Sequence, residues 1–374
     1  MQFVDLLAQH RSIQVSLDAA IAHVVEHSSF IRGPHVEAFE QGFAQMMGAK
    51  HCISCGNGTD ALYIAMRALG LEAGDEVITT AHSWIATSET ITQAGGQVVF
   101  CDTEPNCFCL DPLQIESKIT PRTRGIIAVH LYGQPADMSA IMALAKAYDL
   151  WVIEDAAQAH LAAMDGQLVG RFGDVATFSF YPGKNLGAMG DAGCLVTDRQ
   201  DVADFARLFA RHGGKNNHQI EGINSRMDGL QAAVLNVKMP HLEGWTRARE
   251  ALAQRYDSML AELPQVITPT VRSGCRHVYH LYVIRVPQRD ALQAYLAELY
   301  IPTVINYPQA LPFYPAYARL GHKPVDFPVA FQHAQEILSL PMHPFLSQQD
   351  QERVVEGIRA FYAQPVSIAF EEGS

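Results

Sequence analysis

One lysine, Lys184, stands in Phe178-Ser179-Phe180-Tyr181-Pro182-Gly183-Lys184-Asn185-Leu186-Gly187, an apolar run broken by proline and glycine. A loop lysine is most often a solvated surface charge. Here aromatic residues precede it, and Gly187, Gly190 and Gly193 follow closely, a pattern that lets backbone fold against a ligand. A lysine partly buried in such a place has a lowered pKa and can act as an amine nucleophile. That chemistry needs a carboxylate and an anion site nearby, and the sequence offers both. Glu154-Asp155-Ala156-Ala157-Gln158 ends an apolar stretch, where open α/β sheets present ligand-binding groups, although a carboxylate there also commonly caps a helix. Gly56-Asn57-Gly58-Thr59 lies between an apolar run and an amphipathic one. Free N–H groups at that helix start, with the Thr59 hydroxyl, suit a phosphate; a plain Asn-Gly turn is the competing explanation. Trp84, in His82-Ser83-Trp84-Ile85-Ala86-Thr87, is either core or a platform for a flat ring.

Short apolar runs must carry these segments to one edge. Residues from about 50 to 200 alternate such runs with helical patterns, which predicts strand-helix units on a largely parallel sheet. Seven strands are expected, over 52–55, 76–80, 97–101, 125–129, 151–154, 176–180 and 194–197. Leu62, Ala65, Met66 and Leu69 recur at helical spacing, with Gly70 placed to end that helix. Residues 137–148 form a second crossover helix. Beyond about Pro240 the texture changes to a long polar helix (243 to about 263), then a strand over 279–286, a helix over 290–299, a strand over 303–306, and a terminal helix that Ser347 caps with Asp350 at the third helical position. The fold class is therefore α/β, with a large domain over residues 1–240 and a smaller α+β C-terminal domain over 241–374. Residues after Pro365 read as a tail.

The bulk numbers narrow the function. The 374 residues are 48% hydrophobic and 18% charged, with a net charge of -12, which suits a globular enzyme and argues against general affinity for nucleic-acid phosphates. There is no basic start followed by an apolar core and no stretch long enough to span a bilayer, so a cytoplasmic protein is expected. Seven cysteines, an odd number, argue for reduced thiols. Cys52 and Cys55 form a C-x-x-C pair, but no second pair or histidine cluster completes a zinc site, and small buried hydrophobes are the better explanation. No metal is expected.

In this order the segments resemble the DegT/DnrJ/EryC1/StrS family of sugar aminotransferases, in the fold type I class of pyridoxal-phosphate enzymes. The resemblance runs from Phe30-Ile31-Arg32-Gly33-Pro34 through Asn57-Gly58-Thr59, Gly74-Asp75-Glu76-Val77-Ile78, His130-Leu131-Tyr132-Gly133, Glu154–Gln158 and Tyr181–Gly187 to Asn224-Ser225-Arg226 and Leu340-Pro341-Met342. It implies that Lys184 holds pyridoxal 5'-phosphate as a Schiff base and later moves the proton, with Asp155 at the pyridinium nitrogen. It further implies Gln158 near the phenolic oxygen, Trp84 stacked on the ring, and Gly58, Thr59 and Ser179 on the phosphate. Asn224 would reach that phosphate from a neighbouring subunit, which implies a homodimer. Arg211, Lys215 and Arg226 are candidates for the nucleotide diphosphate, with ordinary surface charge as the alternative. Asn306 and Tyr307 are candidates on the sugar side.

Members acting at C4 of the sugar tend to carry Ser-Phe-His before the lysine and Thr-Thr-Gly-Glu-Gly-Gly after it. Here Ser179-Phe180-Tyr181-Pro182 and Gly187-Ala188-Met189-Gly190-Asp191-Ala192-Gly193 are more similar to members acting at C3. The expected reaction is amination of a dTDP- or UDP-linked 3-keto sugar, a 3-keto-6-deoxyhexose, by L-glutamate, feeding a surface polysaccharide such as lipopolysaccharide O-antigen or a glycosylated metabolite. Asn306-Tyr307-Pro308 and Leu311-Pro312-Phe313 depart from the family's usual histidines on the sugar side. A C4-acting enzyme and a non-catalytic ligand-sensing regulator remain alternatives. A sugar dehydratase would replace Lys184 by histidine, and a nicotinamide enzyme would carry G-x-G-x-x-G after a strand, which is absent.

Overall fold

A computed structural model describes residues 1–363; the expected tail lies outside them. Seven strands form one sheet: β1 (His51–Cys55), β2 (Glu76–Thr80), β3 (Gln97–Cys101), β4 (Thr123–Val129), β5 (Trp151–Asp155), β6 (Val175–Ser179) and β7 (Gly193–Thr197). Their order is β1-β7-β6-β5-β4-β2-β3. β7 is antiparallel to both its neighbours, and the other six strands share one direction. The ends of β1, β2, β4, β5 and β6 therefore open on one edge, the edge that carries the segments at Asn57, Trp84, His130, Asp155 and Lys184. β2 and β7 are buried at every position, as expected of strands covered on both faces.

Local chemistry sets the first crossover. The helix Gly58–Ala68 starts where Asn57 Oδ1 accepts the Asp60 N–H at 2.7 Å, an N-cap that satisfies one of the free donors of the first turn. It ends at Gly70, whose φ of +78° favours glycine, and the Leu71 N–H then closes on the Met66 carbonyl. Leu62, Ala65 and Met66 enter a core with Ile53, Val77, Ile127, Ile153 and Leu195 on one sheet face. The second crossover helix, Met138–Tyr148, is capped in the same way by Asp137.

The opposite face is filled by Phe39 and Phe43 from the helix Pro34–Met47, which meet Phe180 edge-on at 5.2 and 5.3 Å. The helix Gly229–Lys238 packs here too through Ala232 and Leu235. The N-terminal helix Gln14–Glu26 adds Leu17 beside Val234 and Trp245.

The C-terminal region contains the helix Leu242–Leu260 and a two-stranded sheet, β8 (Tyr282–Arg285) against β9 (Ile337–Leu340), antiparallel with Tyr282 opposite Leu340. Both pack with the helices Arg289–Glu298 and Gln348–Ala363 around Tyr256, Leu292, Leu338 and Ile358. Ser347 caps the last helix through the Asp350 N–H at 3.0 Å, as expected. The expected strand over 303–306 reduces to a single bridge, Val304 to Ser339. Its chain leaves the ladder because Tyr132 donates to the Asn306 carbonyl and Ser339 to the Asn306 side chain. Beyond it, Leu311, Tyr317 and Phe327 join the core of the seven-stranded sheet, and the Leu311 N–H bonds the Ala81 carbonyl at 2.8 Å.

All seven cysteines are free thiols, and Cys52 and Cys55 are buried. Among the described residues no helix is long and apolar enough to cross a membrane, and no cluster of three or more His, Cys, Asp or Glu could hold a metal ion.

Candidate active site

Asp155 closes β5 and is buried. One carboxylate oxygen accepts the Thr87 hydroxyl at 2.8 Å and the other the Ala157 N–H at 3.2 Å. The Ser83 hydroxyl lies 3.1 Å from that of Thr87, so a short relay after β2 fixes the orientation of the carboxylate. Its neighbour Glu154 points elsewhere and has a different task. It accepts the N–H groups of Gly170, Phe172 and Gly173 and lies 3.0 Å from His130 Nε2. Burial alone would raise its pKa, but these bonds hold it below the usual carboxylate range.

Lys184 sits in a tight turn after β6, its N–H donating to the Tyr181 carbonyl at 2.8 Å, and the Ala188 N–H closes the loop on Phe180 at 2.7 Å. Its side chain is half-buried. Burial drives the ammonium down to about pKa 8, while the negative charge of Asp155 pulls the other way. Two neighbouring histidines do not add to the positive charge. His160, among Phe43, Phe178 and Phe180 with neither ring nitrogen partnered, is pushed down to about 3 by burial and then by Lys184. His280, 3.3 Å from Asn185 Oδ1, is lowered for the same reasons.

Gln158 is held at both ends of its amide. Its carbonyl accepts the Tyr132 N–H at 2.6 Å, and its NH₂ donates to the Tyr307 hydroxyl at 3.0 Å, which leaves one N–H for a ligand oxygen. The Tyr307 ring lies 5.5 Å from that of Trp84. Trp84 is 57% exposed, so it is a surface ring at the strand-end edge and not core. Tyr132 also binds the Asn306 carbonyl and approaches His82 Nε2 at 3.0 Å, tying three strand-end loops to the segment at Asn306. The Asn306 side chain itself is taken by Ser339 at 2.9 Å.

The turn at Asn57 lies beside the end of β6. A Cβ on Gly58 would stand 2.7 Å from Ser179 Cβ, and the N–H groups of Gly58 and Thr59 have no partner among the described residues. The Asn-Gly turn and the anion cradle are thus the same object: Asn57 caps the third helical N–H and leaves the first two open. Gly58→Ala is expected to overpack this contact by about 1–3 kcal/mol and to weaken cofactor binding, which titration into apo-protein measures.

Ser225 is buried, accepting the Gly56 N–H at 2.9 Å and donating to Asp60 at 2.6 Å. Its chain neighbours Asn224 and Arg226 are exposed, as alternation along an extended segment requires. Lys215 is exposed too, and Arg211, bridged to Asn224, is half-buried. Burial, and then Arg32, lowers the Arg211 pKa. Asp155, Gln158, Lys184, Trp84 and Tyr307 are brought together, as are Gly58, Thr59 and Ser179. Asn224 and Arg226 are exposed on either side of Ser225, Arg211 is bridged to Asn224, and Lys215 is exposed, with no contact joining these four to Lys184 or Asp155 among the described residues. The contacts made by Thr87, Ser83, Tyr132, His82, His160 and His280 are not foreseen from the sequence, although His82, Ser83 and Thr87 lie in the run around Trp84 and Tyr132 lies in His130-Leu131-Tyr132-Gly133.

Residues 11–359 match the DegT/DnrJ/EryC1/StrS aminotransferase family. The chain belongs to this family. A "pleiotropic regulatory protein" of Geobacillus stearothermophilus is 46% identical over 363 residues, covering 96% of this chain and 98% of the relative. A "dTDP-3-amino-3,4,6-trideoxy-alpha-D-glucose transaminase" of Streptomyces venezuelae is 40% identical over 359 residues, covering 96% and 95%. Among solved structures, that of S. venezuelae DesV in complex with a ketimine intermediate superimposes with a TM-score of 0.95 at 40% identity, covering 97% of this chain and 99% of that one. The chain is a pyridoxal-phosphate-dependent aminotransferase of the α/β type.

The residues of this DegT-family enzyme fit the cofactor. An amine of depressed pKa feels the charge of an anchored carboxylate, two open N–H groups sit in a glycine cradle, and an exposed indole lies against the ring of Tyr307, the partner of Gln158. Because the free amine is the nucleophile, incorporation of pyridoxal phosphate into apo-protein should accelerate as pH rises to about 8 and level off above it. Stopped-flow absorbance across pH reads the midpoint.

Proposed function

We propose that Lys184 and Asp155 run the amination of a nucleotide-linked 3-keto sugar, dTDP- or UDP-linked and a 3-keto-6-deoxyhexose, with L-glutamate as donor. The observation that carries the chemistry is the half-buried amine of Lys184 beside the Thr87-anchored carboxylate of Asp155. Bound pyridoxal phosphate supplies an electron sink for the pair released when a carbon next to nitrogen loses its proton. Asp155 keeps a proton at the ring nitrogen, and Thr87 holds it there. Lys184 would tether the ring, and once freed by the amino donor its Nζ would take the proton from one carbon and return it to another. The remaining N–H of Gln158 would serve the phenolic oxygen, Trp84 would cover the ring, and Gly58, Thr59 and Ser179 would hold the phosphate.

The outward direction of Asn224 supports a homodimer in which it completes the partner's phosphate site, with Arg211, Lys215 and Arg226 available to the nucleotide diphosphate. Tyr307 lines the sugar side through its contacts with Gln158 and Trp84; Asn306 is a weaker candidate because Ser339 engages its side chain. We also keep the division into a cofactor domain over 1–240 and a small domain over 241–374. The C3 assignment draws support from the residues flanking Lys184 and from the S. venezuelae transaminase. The name of the Geobacillus relative favours one other reading, a ligand-sensing regulator without turnover.

A panel of dTDP- and UDP-linked 3-keto and 4-keto sugars, incubated with glutamate, separates these readings. Formation of 2-oxoglutarate with 3-keto sugars is expected. Turnover confined to 4-keto sugars would move the reaction to C4, and no turnover on any sugar would favour the regulator.

A further inference from the structure

Lys238, at the end of the helix Gly229–Lys238, is fully buried with no exposed surface. Its ammonium donates to the Gly187 carbonyl at 2.7 Å and lies 3.3 Å from His10 Nε2. Among the described residues it has no carboxylate partner, and burial pulls its pKa down to about 8. Burying a charge without a counter-charge is costly. A methionine or leucine would fill the same volume more cheaply, so core packing does not account for a lysine here.

Gly187 belongs to the loop that carries Lys184. A Cβ on Gly187 would stand 2.2 Å from the Pro182 carbonyl oxygen, so the two arms of the loop touch directly, and any shift of Gly187 moves the turn that holds Lys184. Backbone bonds from Lys184 to Tyr181 and from Ala188 to Phe180 close the loop internally. Its outer ties include Asn185, to the Val278 carbonyl at 3.1 Å and to His280 at 3.3 Å, and Lys238 to Gly187. The same helix begins directly after the segment 224–228, so one rigid element runs from that segment to the back of the lysine loop.

We propose that Lys238 is a positioning residue for Lys184: its buried ammonium fixes the Gly187 carbonyl and thereby the reach of the Lys184 amine. The inference rests on the assignment of Lys184 made above. A charge-assisted bond is about twice as strong as a neutral one, and small displacements of a reacting group are costly in rate.

The test compares native holoenzyme with Lys238→Met, which keeps the stem and removes the donor, and with Lys238→Arg, which restores a cationic donor. Three quantities are read: the melting temperature, the rate at which added pyridoxal phosphate becomes trappable by borohydride in apo-protein, and kcat against KM. Lys238→Met is expected to trap cofactor about tenfold to a hundredfold more slowly and to lose kcat by a similar factor, with KM little changed and Lys238→Arg partly restored. Native trapping rate and kcat in a folded Lys238→Met protein would overturn the proposal. Should Lys238→Met fail to fold, Lys238→Gln, which keeps a neutral donor, takes its place: slowed trapping is again expected, and native trapping rate in a folded Lys238→Gln protein would assign the residue to stability and overturn the proposal equally. Absence of any trappable adduct in the native enzyme would instead overturn the assignment of Lys184.

Discussion

Lys184→Ala is expected to lose the borohydride-trappable tie to pyridoxal phosphate and to lose transamination by roughly 10⁴-fold, since both the tether and the proton carrier are removed. The fold should survive. Lys184 donates nothing through its side chain to the core, and its depressed pKa means that the folded protein holds its ammonium at a disadvantage. Between about 8 and lysine's ordinary value the unfolded chain binds more protons at this site than the folded one, so the group's contribution makes stability rise with pH there. Below that window the buried ammonium opposes folding, and its removal at pH 7 should leave the melting temperature of the apo-protein unchanged or slightly higher. Circular dichroism checks the fold, and the visible absorption of the holoenzyme checks the tether. A variant that still traps cofactor at native yield would assign the amine to another lysine.

Asp155→Asn carries the second large effect. Asparagine can still accept the Thr87 hydroxyl through its carbonyl oxygen, so the relay from Ser83 survives while the charge is lost. Without that charge the ring nitrogen is no longer held protonated, and kcat should fall by about 10²- to 10³-fold, the range found when one preorganised electrostatic partner is removed. A second consequence concerns Lys184. The carboxylate raises the lysine's pKa against burial, so its neutralisation must lower that pKa further. The pH midpoint for cofactor incorporation should therefore move below about 8, and a midpoint that moved upward would place the two residues out of electrostatic reach.

Much of the fold is legible because buried parallel strands are written as short continuous apolar runs. Glu76–Thr80 and Gln97–Cys101 are found with the boundaries expected, and the other five differ by a residue or two. Gly70 and Ser347 announce helix ends through local chemistry. The segment at 303–306 misleads because its residues are compatible with a strand, while two long-range bonds, from Tyr132 and Ser339, take its chain out of the ladder. The helices Gln14–Glu26 and Pro34–Met47 leave no sharper mark than their apolar faces, and their place on the sheet is decided by Trp245 and Phe180 far along the chain.

The candidate site divides in the same way. Lys184, Asp155 and the turn at Asn57 are visible because glycine, proline and charge interrupt apolar runs at strand ends. Exposure takes Trp84 out of the core. The tasks of Thr87, Tyr132 and Lys238 are invisible: Thr87 and Lys238 each act through a contact across 68 and 51 residues of chain, and Tyr132 through its own backbone N–H to the Gln158 side chain and its hydroxyl to Asn306. Spacing along the sequence carries no record of such pairs. The outward direction of Asn224 emerges only once Ser225 is seen buried between it and Arg226.

The most direct test of the account reduces the native holoenzyme with borohydride, digests it, and locates the pyridoxyl-phosphate mass by tandem mass spectrometry. A single modification on Lys184 is predicted. The modification on Lys238 or on any other lysine, or its absence from a protein carrying bound cofactor, would contradict the assignment on which the proposed chemistry stands.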